Sequence, residues 1–369
     1  MLKHRRIALL TGGGDCPGLN AVIRAVTKKA ILEYGMEVIG IEDGYYGVIH
    51  NHYRKLQYDD VSGILTLGGT ILGTSNVANP YSYPVEKGGI LEFDDVSETA
   101  IRNIENLNID CLICIGGDGS LSIANKLFRD GIPVIGLPKT IDNDLRGTEI
   151  TFGFDSAVQI ATEGIDRIHS TAQSHHRVMI VEVMGRNAGW IALYSGVAGG
   201  GDIVLIPEIP YDLDIITEKV KERSRKGRRF SIVVIAEGAK PEGGAVVIKK
   251  LVKDSGAPVR LGGVGFALGS QIESASGIDT RTVVMGHLLR GGSPTPFDRI
   301  LATRLGTRAV EMVEGENFGY MVGVKGNSLE GVPLEDVAGG IRTVPSDDPV
   351  IRAGRSVGTC FGDEYNGSS

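Results

Sequence analysis

Cysteine is scarce in this chain: there are four in 369 residues, at positions 16, 111, 114 and 360. So few thiols in so long a chain do not make a disulfide framework. Cys111 and Cys114 form a C-x-x-C pair, but it lies inside the apolar run 110–115. In a strand, positions three apart point to opposite faces, which argues for two buried thiols and against a redox or zinc pair. His175, His176 and His287 lack a second His/Cys pair at ligand spacing, so zinc is not expected. Long hydrophobic runs are missing too, none approaching the roughly 18 residues of a membrane span. The basic start of the chain is followed only by Ile7–Leu10 before glycine, too short for the apolar part of a signal peptide. These absences lead us to expect a reduced, cytoplasmic protein. Basic excess is absent as well: 38 − 45 gives −7 with histidine neutral. That disfavours nucleic acid or an anionic membrane as the main partner. No repeat recurs at a fixed period, and the Asn366-Gly367-Ser368 sequon carries no weight in a cytoplasmic chain.

What is abundant is glycine, 53 residues of the 369, about twice the usual share. The glycines fall in short runs after apolar segments, the pattern of turns whose backbone approaches a ligand closely. Hydrophobic residues at 42% and charged residues at 22% are ordinary for a soluble protein with a sizeable core. The length suggests two domains.

Apolar runs alternate with helical patterns. We expect strands at 6–11, 37–42, 109–115, 132–137, 178–183, 203–206, 231–236 and 280–285. Helices are expected at 19–34, 99–107, from about 120, and at 157–171, 188–197, 213–225, 262–274 and 295–314. Such alternation predicts an α/β fold: two doubly wound domains with mainly parallel sheets covered on both faces. Ligands in such sheets bind at the carboxyl ends of strands. A boundary is expected near Gly147–Gly153, and the polar, aperiodic residues from Pro345 on read as a peripheral tail.

Three loops concentrate the chemistry. The first, Thr11–Asn20 (TGGGDCPGLN), is neither a Walker A loop nor a G-x-G-x-x-G motif. It is either a plain tight turn or an anion site at a helix N-terminus. The second, Ile115–Leu121, sets Asp118 beside a glycine cradle. A carboxylate next to phosphates is what Mg²⁺ requires, although Asp118 or Ser120 could equally cap the helix. The third, Gly136–Asp144, brings Lys139, Thr140, Asp142, Asn143 and Asp144 to the end of an apolar run. Phosphoryl transfer needs positioning, charge neutralisation and a base on the acceptor hydroxyl. Asp142 suits the base and Lys139 a phosphate; an isolated Asx-turn is the bland alternative. Met184-Gly185-Arg186, Arg281 and the stretch Met285–Pro294 add arginines at strand ends, suited to gripping a phosphate monoester.

Five stretches now resemble the phosphofructokinases: Gly13–Ala21 (GGDCPGLNA), Gly116–Ser120 (GGDGS), Pro138–Asp144 (PKTIDND), Glu182–Arg186 (EVMGR) and Gly286–Pro294 (GHLLRGGSP). The resemblance runs from Arg6 to about Lys325 and points to the bacterial branch, where ATP-using and pyrophosphate-using members are closely related. It implies phosphorylation of the 1-hydroxyl of fructose 6-phosphate, with the site in the cleft between two domains. By resemblance, Gly14, Gly117, Gly119 and Ser120 contact the donor phosphates, Asp118 holds Mg²⁺ and Asp142 is the base. Thr140, Ile141, Met184, Gly185, Arg186, Glu237, His287, Leu288, Leu289 and Arg290 match sugar-phosphate contacts, Arg186 also a transition-state contact. Arg177 and Arg281 match arginines that reach the 6-phosphate from a neighbouring subunit, which implies a homo-oligomer, dimer or tetramer, with shared sites. The donor domain is then 1–146 with about 290–325, the sugar domain 147–289 with about 326–345, and the tail 346–369.

One departure bears on the donor. Many ATP-using relatives carry an arginine where Asn76 follows Gly73-Thr74-Ser75, and Lys139 resembles the lysine of pyrophosphate-using relatives. Gly119, where those relatives typically carry Asp, leaves room for an α-phosphate and argues for ATP. We weight that steric and like-charge exclusion more heavily. Arg24 with Lys28, and Arg225, Lys226, Arg228 and Arg229, are either solvated faces or an effector site. Two other readings compete: the NAD kinase and lipid kinase group, which shares GGDG but has no reason to contain PKTIDND, and a silent nucleotide-binding regulator, which should have lost Asp118 or Asp142.

Overall fold

Strands buried on both faces read as unbroken apolar runs, and the expected runs are such strands except 280–285, whose strand is largely exposed at a sheet edge. The computed structural model describes residues 5–251 and 259–364, which leaves the sequon at 366–368 outside the described residues. The first part of the chain contains β1 (Arg6–Thr11), α1 (Leu19–Tyr34), β2 (Glu37–Ile41), α2 (Tyr45–His50), β3 (Tyr53–Leu56), β4 (Tyr83–Lys87), β5 (Ile90–Asp94), α3 (Ser97–Asn106), β6 (Cys111–Gly116), α4 (Asp118–Arg129) and β7 (Val134–Pro138). The second contains α5 (Phe154–His175), β8 (Val178–Val183), α6 (Trp190–Ala198), β9 (Ile203–Leu205), α7 (Leu213–Arg225), β10 (Ser231–Ala236), β11 (Ile248–Leu251), β12 (Val259–Leu261), α8 (Val264–Ser276) and β13 (Thr280–Val284). The chain ends with α9 (Pro296–Glu314), β14 (Tyr320–Lys325), β15 (Ser328–Pro333), α10 (Leu334–Val337) and α11 (Pro349–Ser356).

Two sheets result. The larger has the order β15-β14-β7-β6-β1-β2-β3, parallel except for its two outermost strands, β15 and β3. The smaller, β13-β8-β10-β9, is parallel throughout. Alternation along the central strands is strict. Ile7, Leu9, Cys111, Ile113, Ile135 and Leu137 enter one core, while Ala8, Leu10, Leu112, Cys114 and Val134 enter another on the opposite face. The two thiols of the C-x-x-C pair thus face opposite ways, as expected. Burial pushes Cys114 up to about 12 and Cys111 upward as well. The first core also takes in Val181, Val183, Val234 and Ala236 of the smaller sheet, so one apolar mass joins the two layers. Helix α9 returns the chain to the larger sheet and lies against α1. A Cβ on Gly306 would stand 2.9 Å from Ala25 Cβ and 3.0 Å from Val22 O, which is why a glycine sits at that contact.

Two expectations need correction. Residues 328–333, expected with the sugar domain, pair antiparallel with β14 as the edge of the larger sheet. Residues 346–364 are not a peripheral tail. Asp348 caps α11 by accepting the Val350 N–H at 2.8 Å, Phe361 is fully buried, and the Cys360 carbonyl accepts the Val204 N–H beside β9 at 2.9 Å. An eight-residue helix gives too short a period to read, and one large apolar residue suffices to anchor it. In addition, α2, β3 and the β4–β5 hairpin were not expected: α2 is buried but only six residues long, too short to show a period, and the exposed faces of β3 and the hairpin break the apolar pattern.

Candidate active site

Because β7, β6 and β1 are neighbours running the same way, their carboxyl ends bring the three glycine-rich or acidic loops side by side. The first loop is pinned by Thr74 and Ser75, in the segment between β3 and β4: Gly13 N–H donates to Ser75 O at 3.2 Å, and Thr74 Oγ1 donates to Gly13 O. Ser120 is 7% exposed and wedged between loops; a Cβ on Gly12 would lie 2.6 Å from its Oγ, and one on Gly116 2.3 Å from its Cβ. Its side chain packs the cradle, at the start of α4. Gly119 next to it is exposed, and a Cβ there would meet no heavy atom within 4 Å. Lys139 is buried, with its Nζ donating to Gly14 O, and burial depresses its pKa.

Asp118 is the first residue of α4. Its Oδ1 accepts the Gly339 N–H at 3.0 Å, and its Oδ2 has no hydrogen-bond partner among the described residues. In the third loop, Asp142 N–H donates to Thr140 Oγ1 at 3.1 Å, and Thr140 Oγ1 donates to Asp144 Oδ1 at 3.3 Å. Asp142 Oδ1 is buried and has no hydrogen-bond partner among the described residues. An orphaned buried acceptor is costly unless a ligand completes it. Burial raises the pKa of Asp142, against the opposing pull of Arg290 and Lys139. Asp144 is raised by burial and then by Asp142 beside it.

The smaller sheet supplies the other wall from the carboxyl ends of β13, β8 and β10. Gly185 has φ +142 and a Cβ there would stand 2.8 Å from Ala188 O, so the turn before Arg186 takes glycine. Glu237 N–H donates to Val183 O at 3.0 Å, and burial, then Asp142 and Glu182, push its carboxyl up to about 7. Arg290 crosses to the first loop, where its Nη1 donates to Asp15 O at 3.0 Å. A Cβ on Gly14 would stand 2.7 Å from that nitrogen. The two walls therefore meet over Gly14, Asp142, Glu237 and Arg290.

Not every expected residue turns its side chain to this cleft. Ile141 and Leu289 are fully buried in the first core, leaving only their main-chain groups for a ligand. His287 and Leu288 are exposed on the turn after β13, and Met184 and Arg186 are half-buried. Arg177 and Arg281 lie at the amino ends of β8 and β13, the far side of the sheet from Arg186, where both pair with Asp279. Reasoning from sequence gave no role to Thr74, Gly339 or Glu182. The Glu182 carboxylate accepts N–H groups of Gly263 and Gly265, each at 2.8 Å, anchoring the start of α8 to the strand that carries Arg186. The first two lie far along the chain from the loops they touch, and no spacing could signal them.

A model of the family described as phosphofructokinase matches residues 6–313. The chain belongs to the phosphofructokinase family. Among curated phosphofructokinases, "ATP-dependent 6-phosphofructokinase 2" of Clostridium perfringens is 52% identical over 365 residues, covering 98% of this chain and 100% of that protein. A second relative, "Pyrophosphate–fructose 6-phosphate 1-phosphotransferase" of Amycolatopsis methanolica, is 49% identical over 342 residues, covering 93% of this chain and 97% of that one. The phosphofructokinase of Pichia pastoris in the T-state superposes with a TM-score of 0.78 at 33% identity, over 91% of this chain and 36% of that longer one.

Proposed function

We propose that this chain transfers the γ-phosphoryl group of ATP to the 1-hydroxyl of fructose 6-phosphate, giving fructose 1,6-bisphosphate and ADP in glycolysis. One observation carries the reading: Asp142 Oδ1 is buried where the two walls meet and unpartnered among the described residues, a carboxylate of raised pKa with Lys139 and Arg290 as its counter-charges. A base so poised accepts the hydroxyl proton as the new O–P bond forms, the bond between γ-phosphorus and the bridging oxygen breaks, and ADP leaves.

The donor phosphates lie against Gly14, Gly117, Gly119 and Ser120, where main-chain N–H groups and the N-terminus of α4 favour anions. Magnesium fits the residues present. Asp118 keeps a carboxylate oxygen unpartnered among the described residues, which hold no group of three metal-ligating side chains. Mg²⁺ is typically held in this way, by one or two carboxylates completed by phosphate oxygens, and it neutralises donor charge when bound. Thr140, the Ile141 and Leu289 main chains, Met184, Gly185, Arg186, Glu237, His287, Leu288 and Arg290 hold the sugar phosphate. Arg177 and Arg281 serve the cleft of a second copy. The exposed Val283, Val284 and Leu288, on and just after the edge strand β13, support such a copy packing there.

The open space at Gly119 and the C. perfringens relative favour ATP. Lys139 beside Gly14, Asn76 in place of an arginine and the A. methanolica relative favour pyrophosphate as a second reading. The test is kcat/KM with fructose 6-phosphate and magnesium, ATP and pyrophosphate offered separately. ATP is expected to exceed pyrophosphate; a pyrophosphate value equal to or above it overturns the donor assignment.

A further inference from the structure

The chain between β15 and α11 runs from one wall of the cleft to the other, and it lies beyond residues 6–313 that the family model spans. Gly339 meets Asp118, as described. Ile341 then forms an antiparallel bridge with Leu145, and Arg342 N–H donates to Asp144 O at 2.8 Å. The Arg342 side chain turns to the acidic loop, where its Nη1 donates to Asn143 O at 3.1 Å.

Arg342 is held from the other wall. Its guanidinium carbon stands 4.2 Å from the centroid of the Trp190 ring, and its carbonyl accepts the indole N–H at 3.1 Å. Trp190 is 2% exposed and opens α6 of the smaller sheet. Two residues further on, Val344 N–H donates to Glu208 Oε1 at 2.8 Å, and Glu208 also accepts the Gly189 N–H. Arginine suits this post: a planar cation can lie on an indole while its fork reaches a carbonyl.

The residue so gripped is unusual. Asn143 has φ +52, the left-handed region, between the two acidic residues of the loop. Asparagine tolerates that region better than most side-chain-bearing residues, and contacts on both sides hold Asn143 in it. Asn143 Oδ1 accepts the Thr151 N–H at 3.0 Å on one side, and Arg342 holds its carbonyl on the other. The direction of the Asp142 carboxylate follows from that turn.

We propose that Arg342 is a positioning residue: fixed by Trp190 of one wall, it locks the Asn143 turn of the other and so sets the aim of the Asp142 carboxylate. The inference rests on Asp142 as the base. Charged and titratable groups facing that carboxylate are Lys139, Asp144, Glu237 and Arg290; Arg342 acts through geometry and not as a further charge beside it.

The test uses the full chain with R342M, whose side chain still covers the indole but donates no hydrogen bond, R342K, which keeps the charge, and D142N. For R342M, kcat should fall roughly 10–100-fold, the scale of a small misplacement of a reacting group. KM for both substrates should stay within about threefold. The acid limb of its kcat pH profile should move to lower pH, because a loosened loop admits water to Asp142. R342K should recover part of the loss. The proposal is overturned if R342M keeps more than half of the parental kcat, or if its loss merely tracks a smaller folded fraction. Should R342M not fold, R342K decides: a lowered kcat at parental melting temperature supports the role, and an unchanged kcat overturns it. A D142N variant with near-parental kcat overturns the base and Arg342's role together, whereas an inert D142N beside a normal R342M removes Arg342 alone.

Discussion

Substituting Gly119 by Asp separates the two donors. The position is exposed, second in α4, and its missing Cβ has no neighbour within 4 Å. An aspartate therefore fits without displacing anything, and a carboxylate in the first turn of a helix is favoured by the helix dipole. The melting temperature should not fall. What changes is the space that the proposed donor site leaves for the α-phosphate of ATP. Two unit charges about 4 Å apart at an effective dielectric of about 20 repel by about 4 kcal/mol. That is about a thousandfold in kcat/KM. Pyrophosphate has no third phosphate and should lose far less. In a coupled assay with each donor in turn, ATP kcat/KM should drop by about three orders of magnitude, and the pyrophosphate-to-ATP ratio should rise at least about a hundredfold. An ATP value within tenfold of the parent would refute the reasoning, since the carboxylate would then not share the donor's space.

Two other outcomes follow from the site. Asp118→Asn should raise the magnesium concentration needed for half-maximal rate; an unchanged metal titration removes Asp118 from that role. Arg281→Ala should weaken fructose 6-phosphate binding by roughly 1.5–3 kcal/mol, the scale of a charged hydrogen bond, and leave ATP binding near normal. Mixing it with Asp142→Asn should regenerate some intact clefts after subunit exchange, and no recovery in a demonstrated oligomer argues that each cleft is built from one chain.

Legibility followed burial. Strands β1, β6, β7, β8 and β10 are apolar on both faces, and their runs are the strands within a residue or two. Each loop after them carries glycines or carboxylates in one short stretch, so the candidate site was readable before its geometry. The edges were not. Strand β3 reads Tyr-Arg-Lys-Leu, with one wholly buried residue, and β15 has none, so neither has a core face strong enough to set a period of two. Arg342, Gly339 and Thr74 were missed for a different reason. Each contacts a site loop more than 50 positions away in sequence, by one or two hydrogen bonds that leave no local pattern.

Asp142→Asn tests the central claim most directly, because the exchange is isosteric and the Thr140 hydrogen bond to its main-chain N–H remains. A carboxyl whose folded pKa is raised binds its proton more tightly folded than unfolded. It therefore costs stability as pH rises from the unfolded pKa through the folded one, and at neutral pH the asparagine variant escapes that cost. The melting temperature should stay level or rise. The predicted result is kcat lowered by roughly 10²–10⁴ with fructose 6-phosphate affinity little changed, the range for losing a general base. A folded variant that keeps more than a tenth of the parental kcat contradicts the account.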